Sequence, residues 1–269
     1  MNLLKRFFQL IGVAVLLLLS ILIFTFLRDR HNLMYLNIEN NALFHQNTYL
    51  IKNVNVIPMS SDTLLRNQMI LIKEGEISDI SQNIPESDWT VIDGDGAYIL
   101  PGLIDMHVHV WDEYELGVYL ANGVTAVRNL WGQPMHLRMK QAINEEKIIG
   151  PLFFTSSPKL TGPVYIGDDN LQMNSPQEAI DKVKEYKLKG YDFIKTYNGL
   201  TRDIYDAVIK ESRKQGLEIA AHPSSEVPYF YHIENEVVTI EHAEDIVQQP
   251  LHYRLDTNKL NEVVALFES

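Results

Sequence analysis

Leu100-Pro101-Gly102-Leu103-Ile104-Asp105-Met106-His107-Val108-His109 is an apolar stretch that ends in two histidines one residue apart. Successive side chains on a strand point to opposite faces, so a strand here sets His107 and His109 on one face and Val108 on the other. Neutral imidazole is a preferred ligand for zinc and its first-row neighbours, so the pair offers half of a metal site. The plainer alternative is two unrelated histidines on a half-exposed strand. The sequence on either side of the pair weighs against it.

Downstream of Pro101 the chain alternates short apolar runs with longer amphipathic ones. Strands are expected over 103–110, 124–129, 152–156, 192–197, 217–222 and 237–241. Helices lie between and after them, among them 175–189, 202–215 and 258–267. The helix at 175 opens with Ser175 as cap, Pro176 at its first position and Glu178 three residues on, a capping-box arrangement. Strands alternating with helices argue for βαβ units and a parallel sheet. The count is about six units, where a closed (β/α)8 barrel has eight. The expected class is therefore α/β, an incomplete TIM barrel.

Upstream, residues 48–100 read as a small β module, half of a β-sandwich. Tyr49 to Ile57 alternates, as do Met69 to Lys73 and Glu76 to Ile80, and Lys73-Glu74-Gly75-Glu76 makes a hairpin turn between the last two. Residues 31–47 are polar, Asn-rich and aperiodic, which predicts a linker.

Residues 1–30 are of another kind. Lys5-Arg6 precedes an apolar run from Phe7 to Leu27, interrupted only by Gln9, Ser20 and Thr25 among polar residues. About 20 such residues at about 1.5 Å rise cover the roughly 30 Å of a bilayer core. No small-residue cleavage site follows, so the run predicts an uncleaved, single-pass signal anchor; a cleaved signal peptide and a buried core helix are the alternatives. Lys5 and Arg6 nearly balance Arg28 and Arg30. The favoured orientation leaves residues 31–269 outside the cytoplasm, in a periplasmic setting.

Composition bounds the chemistry. An apolar content of 46% with 22% charged residues is that of a folded domain. A net charge of −12 disfavours nucleic acid as a partner. The absence of cysteine excludes disulfides, thiolate nucleophiles and Cys-ligated zinc.

The ligand-bearing residues fall at strand ends. His107 and His109 close the first, Lys195 lies in the fourth, and His222 and His242 follow the fifth and sixth. In parallel α/β barrels the active site gathers where strand C-termini meet the next loops. A lone histidine or lysine there is usually structural. Their coincidence at four strand ends points to a metal centre. Tyr197 shares the parity of Lys195, and Arg128 ends the second strand; both are candidate substrate-binding residues, with core packing and a surface salt bridge as their alternatives. Asp105 shares the parity of the two histidines. His136, His232 and His252 are expected at the surface.

Leu100 to His109 resembles the P-G-x-(I/V)-D-x-H-x-H signature of the amidohydrolase superfamily, the metal-dependent (β/α)8 hydrolases. Gly123-Val124-Thr125-Ala126-Val127-Arg128 is similar to that family's second strand. Ile194-Lys195-Thr196-Tyr197, Ala221-His222-Pro223 and Glu241-His242-Ala243 resemble the later ligand motifs of its imidazolonepropionase-like and prolidase-like branch. The resemblance covers residues 48–269. It implies two divalent metals, zinc first and manganese, iron or cobalt otherwise. His107 and His109 would hold the more buried one, His222 and His242 the outer one, and Lys195, carboxylated by carbon dioxide, would bridge them. Without carboxylation, Lys195 stays an ammonium and the site holds one metal.

The implied reaction is hydrolysis of a C–N bond in a small, cyclic amide-like molecule by metal-activated water, with a prolidase-like dipeptidase as the alternative. The family also places an acid–base aspartate at the end of strand eight, and no residue here can be assigned that catalytic role. Glu244 and Asp245 lie too near His242 to come from another strand. The chain is accordingly read as C-terminally truncated. A catalytically inactive, membrane-tethered binding or scaffold protein is the reading from another class, and a homo-oligomer is compatible with either.

Overall fold

The computed structural model describes residues 2–39, 47–85, 87–163, 171–235, 237 and 239–268, with Asn2 and Leu3 given by backbone alone. Part of the expected linker, residues 40–46, and Val238 of the sixth expected strand lie outside them.

Helix α1 (Asn2–Asn32) is one uninterrupted helix. It is long and apolar enough to cross a membrane by length and composition, with mean hydropathy 3.0 over its most apolar 18 residues and none of those buried. A buried core helix is thereby excluded. Its two hydroxyls are satisfied within the helix, Ser20 donating to the Leu16 carbonyl at 2.8 Å and Thr25 to that of Leu22 at 2.9 Å. The segment after it is less free than a linker. Leu36 is buried against Val108, Val110 and Leu116, and the backbone of Ile149 donates to the Leu36 carbonyl at 2.6 Å. The apolar Leu33-Met34-Tyr35-Leu36 inside an otherwise polar stretch accounts for this docking.

The β module pairs β1 (Tyr49–Val56) with β2 (Leu65–Lys73), and β2 with β3 (Glu76–Ser81), both antiparallel. The hairpin between β2 and β3 turns at Glu74 and Gly75, both at positive φ (52° and 80°), the backbone a tight two-residue turn requires. β4 (Thr90–Asp93) and β5 (Tyr98–Ile99) pair with β1 in parallel.

The second region is α/β. β6 (Leu103–Val108), β7 (Val124–Asn129) and β8 (Leu152–Thr155) form one parallel sheet, with α2 (Tyr114–Ala121) and α3 (Pro134–Asn144) between the strands. β11 (Phe193–Thr196), β12 (Glu218–Ala221) and β13 (Thr239–Ile240) form another, extended at its near edge by β9 (Leu160–Thr161) and β10 (Leu171–Gln172). Ser156 joins the two, through a parallel bridge to Phe193, so the strands run as one arc in the order β6-β7-β8-β11-β12-β13. The six expected strands are all present, within two residues at their ends. The arc does not close among the described residues. Its first strand leaves Leu103, Ile104 and Met106 more than half exposed, apolar surface of the kind an open sheet edge presents.

Helices α4 (Pro176–Lys189) and α5 (Arg202–Gln215) cover the arc's second half. Ala179, Val183 and Tyr186 of α4 meet Ile204, Tyr205 and Val208 of α5, with Ile194 and Ile219 from the strands beneath. Ser175 caps α4 as expected, accepting from the Glu178 amide at 3.2 Å. The reciprocal arm of the expected capping box is absent, because the Glu178 carboxylate accepts instead from the Asn174 amide at 3.0 Å. Helices α6 (Tyr229–Glu234), α7 (Glu244–Gln248) and α8 (Thr257–Phe267) complete the described elements.

Two histidines expected at the surface are fully buried, His136 and His232. The His136 ring stands in for missing backbone partners. Its Nε2 donates to the Val110 carbonyl at 2.7 Å, and its Nδ1 accepts from the Gln133 amide at 3.0 Å and the Asn129 amide group at 3.1 Å. His232 pairs through Nδ1 with the Tyr205 hydroxyl at 2.7 Å, and burial pushes it down to about 4. Sequence parity carries no information about such loop and helix-end residues.

The His232 shift has a testable sign. Below pH 6.5 the unfolded chain takes up a proton that the folded chain refuses until about pH 4. Stability is therefore full above 6.5 and falls through that window by up to about 3 kcal/mol. Urea unfolding at pH 7 and 4.5, compared with H232Q, checks this: the variant is expected to lose less on acidification, and an equal loss would remove His232 as the cause.

Candidate metal centre

Alternation along β6 separates two roles. Val108 and Val110 turn outward into the cluster with Leu36 and Leu116, while His107 and His109 face inward with ring centroids 5.4 Å apart. The strand end is pinned from below by Asn129, which accepts from the Val110 amide at 3.0 Å and donates to the Thr155 hydroxyl at 3.0 Å. Asp105 accepts from the His107 amide at 3.2 Å. These contacts fix the backbone that carries the histidine pair.

From the far side of the arc, His222 follows β12 and His242 follows β13. The His242 ring lies 4.8 Å from those of His107 and His222 alike. Its backbone is at φ 63°, the left-handed region a branched chain end rarely occupies, which turns the ring back over the strand ends. The Nδ1 atoms of His222 and His242 are 2.7 Å apart. Burial pushes His222 down to about 4, and the positive neighbours His242 and Lys195 add to this against Asp245. The His222 ring is thus kept neutral, the form that ligates metal.

Lys195 is 1% exposed, and its ammonium nitrogen has no hydrogen-bond partner. Burial dominates and pushes it down to about 7, with Arg128 and Lys159 in the same sense and Glu241 and Asp245 against it. A buried, unpaired amine is costly unless something engages it. Tyr197 stacks on His222, ring centroids 4.3 Å apart at 30°. The structure therefore brings His107, His109, Lys195, His222, His242 and Tyr197 to one end of the arc.

Arg128 is there too, with its guanidinium engaged. It donates to Glu241 at 3.0 Å and to the Thr239 hydroxyl at 2.6 Å, over the Phe193 ring at 4.8 Å. Glu241 also accepts from His107 Nδ1 at 2.7 Å, which leaves Nε2 of that ring as its free lone pair. Burial alone would raise the Glu241 carboxyl; hydrogen bonds from His107 and Thr239, with the charges of Lys195 and Arg128, outweigh it and hold it at about 2.

Sequence reasoning missed Glu241 and Asp245 as parts of this centre. Glu241 immediately precedes a strand-end histidine and Asp245 follows that histidine by three residues, a spacing that returns a side chain to the same face of a helical turn.

No family model matches the sequence. Curated relatives do. A dihydroorotase of Carboxydothermus hydrogenoformans is 51% identical over 63 residues, 23% of this chain and 14% of that protein. A 5'-deoxyadenosine deaminase of Methanosarcina acetivorans is 39% identical over 61 residues, 22% of this chain and 14% of that protein. These likenesses support the amidohydrolase superfamily as the chain's relatives. Among solved structures, a Xaa-Pro dipeptidase with bound methionine superposes with a TM-score of 0.63 at 23% identity, over 82% of this chain and 65% of that one. At that identity the likeness speaks for the fold. The matches take in only 14% of the curated relatives' length.

The donor set suits divalent metal ions. Two imidazoles face one another, and a buried lysine nitrogen and a buried aspartate oxygen lack hydrogen-bond partners.

Proposed function

We propose that this chain carries the metal-binding part of a membrane-anchored amidohydrolase that cleaves a C–N bond in a small cyclic amide. The observation behind the proposal is the convergence of His107, His109, His222 and His242 on a buried, unpaired Lys195 at one end of a parallel strand arc. His107 and His109 would hold one divalent metal and His222 and His242 a second, with Lys195 a shared ligand and zinc the first choice. Such ions, when bound, lower the pKa of water towards neutrality and polarise a scissile carbonyl.

The chain's own residues prepare this. Burial leaves a large share of Lys195 unprotonated near neutral pH. Its lone pair can then attack carbon dioxide: an N–C bond forms, one proton leaves, and the carbamate brings anionic oxygens where an ammonium would repel cations. Glu241 fixes the His107 tautomer, and Tyr197, stacked on His222, borders the space a substrate occupies. Helix α1 supplies the membrane anchor, with the arc on the extracytoplasmic side. The cyclic-amide choice follows the relative named a dihydroorotase. The fold likeness to a Xaa-Pro dipeptidase makes proline dipeptides the comparison substrates.

The test is metal analysis and turnover of the full chain purified in detergent. Two equivalents of zinc and chelator-sensitive opening of a cyclic amide are expected. Less than one equivalent of any divalent metal would sink the proposal, and cleavage of proline dipeptides alone would replace the substrate class.

A further inference from the structure

Asp245 is 1% exposed, and its Oδ2 has no hydrogen-bond partner. That oxygen lies 3.5 Å from Nδ1 of His222 and 3.5 Å from Nδ1 of His242. A carboxylate taken out of water without donors costs several kcal/mol. This one is aimed at the two rings and accepts no hydrogen bond from either. From these observations we infer that Asp245 is itself a metal ligand, and that His222, His242 and Asp245 form a compact three-donor site for one divalent cation.

The separations suit the assignment. Tetrahedral zinc with bonds of about 2.0–2.1 Å sets its donors about 3.3 Å apart. The two oxygen-to-nitrogen distances, 3.5 Å each, are already close to this. The nitrogens, 2.7 Å apart, share one proton in a hydrogen bond and separate by about 0.6 Å when a cation displaces it. Local structure delivers the carboxylate. The left-handed turn at His242 starts α7, and the Asp245 amide donates to the His242 carbonyl at 2.9 Å, so the two side chains rise on one side of a single turn. Two imidazoles and one carboxylate leave positions open for water or substrate, as in catalytic rather than structural sites. The carboxylate comes from the same loop as His242, so these three donors are supplied by the ends of β12 and β13 and by α7.

The inference rests on the reading of this cluster as a metal centre, and the experiment separates the two. Zinc is titrated into the metal-free full chain in detergent against a chromophoric chelator, with D245N and D245E beside the wild type. Cobalt(II) absorption serves as a second readout. Changes outside the ligand shell cost about 10–100-fold in affinity. Loss of a ligand is therefore expected to weaken the tightest site of D245N by more than about 100-fold and to alter the cobalt spectrum, with D245E recovering part of both. A wild type that binds no zinc overturns the metal centre as a whole. A D245N chain that binds zinc as tightly as wild type, with an unchanged cobalt spectrum, overturns the role of Asp245 alone. Should D245N fail to fold, anomalous diffraction from the zinc-loaded wild type decides: a peak about 2.0–2.2 Å from an Asp245 oxygen supports the assignment, and zinc on His222 and His242 with no Asp245 oxygen in reach, or no zinc on that pair, refutes it.

Discussion

Replacing Lys195 by methionine should make the metal-free chain more stable while abolishing metal-dependent hydrolysis. Lys195 is 1% exposed with its nitrogen unpartnered, and burial pushes it from 10.5 down to about 7. The sign follows from where the proton sits. Below pH 7 the folded chain must hold an ammonium in a dry site, and the full penalty applies. Between 7 and 10.5 the unfolded chain keeps a proton that the folded chain has lost, so stability rises with pH as the penalty is relieved. Methionine fills most of the same volume without a charge. The K195M gain is therefore expected to be on the order of 3 kcal/mol at pH 6 and smaller at pH 9. Urea unfolding in the presence of chelator at both pH values measures it. The same variant should lose the bridging group, fall from two bound zinc equivalents to one or none, and lose more than about 100-fold in turnover, beyond what perturbing the surroundings of a metal costs. A variant less stable than wild type at pH 6, or one that still turns over, would refute the argument. A stability gain coupled to lost function is the mark of a residue held in place for chemistry rather than for the fold.

Much of this arrangement was legible in the sequence because two simple periodicities carry it. The period of two along β6 put His107 and His109 on one face and Val108 on the other, and the structure has this alternation. Strand-to-helix alternation gave the six strands of the arc, down to the exact span of β7 and α5. What was not legible depends on side chains meeting across large sequence separations. Nothing near residue 128 indicates that its guanidinium reaches Glu241, 113 residues on. Nothing in the local pattern buries His136 under the Val110 carbonyl or docks Leu36 against Leu116. Asp245 is not legible from strand spacing, because the backbone turn at His242 brings a residue of the same loop to the rings. Such a turn is invisible to hydrophobic patterning.

Arg128 carries the second large effect. The arc's order places β8, β11 and β12 between β7 and β13, so Arg128 and Glu241 meet across its concave side rather than along a ladder. His107 reaches the same carboxylate from β6, so Glu241 ties β6, β7 and β13 together where no backbone pairing does. Both side chains of the Arg128–Glu241 pair are largely shielded, 13% and 8% exposed. Removing one partner of a buried pair leaves the other charge uncompensated, a loss of about 3–5 kcal/mol, larger than the worth of the pair itself. R128M is thus expected to destabilise the chain by that amount at pH 7. Adding E241Q should restore most of it, because the stranded charge goes with the glutamate, and the double-mutant cycle should show strong coupling. The pH dependence sharpens the test. Glu241 titrates at about 2 when folded against an ordinary value of 4.5, so its contribution is full above 4.5 and fades as pH falls towards 2. The R128M penalty should therefore shrink at pH 3, where a carboxyl without its guanidinium is free to protonate. Urea unfolding of wild type, R128M, E241Q and the double variant at pH 7 and pH 3 gives all the terms. A penalty independent of pH, or additive single changes, would mean that Arg128 acts by packing on Phe193 and not by holding Glu241 ionised across the arc.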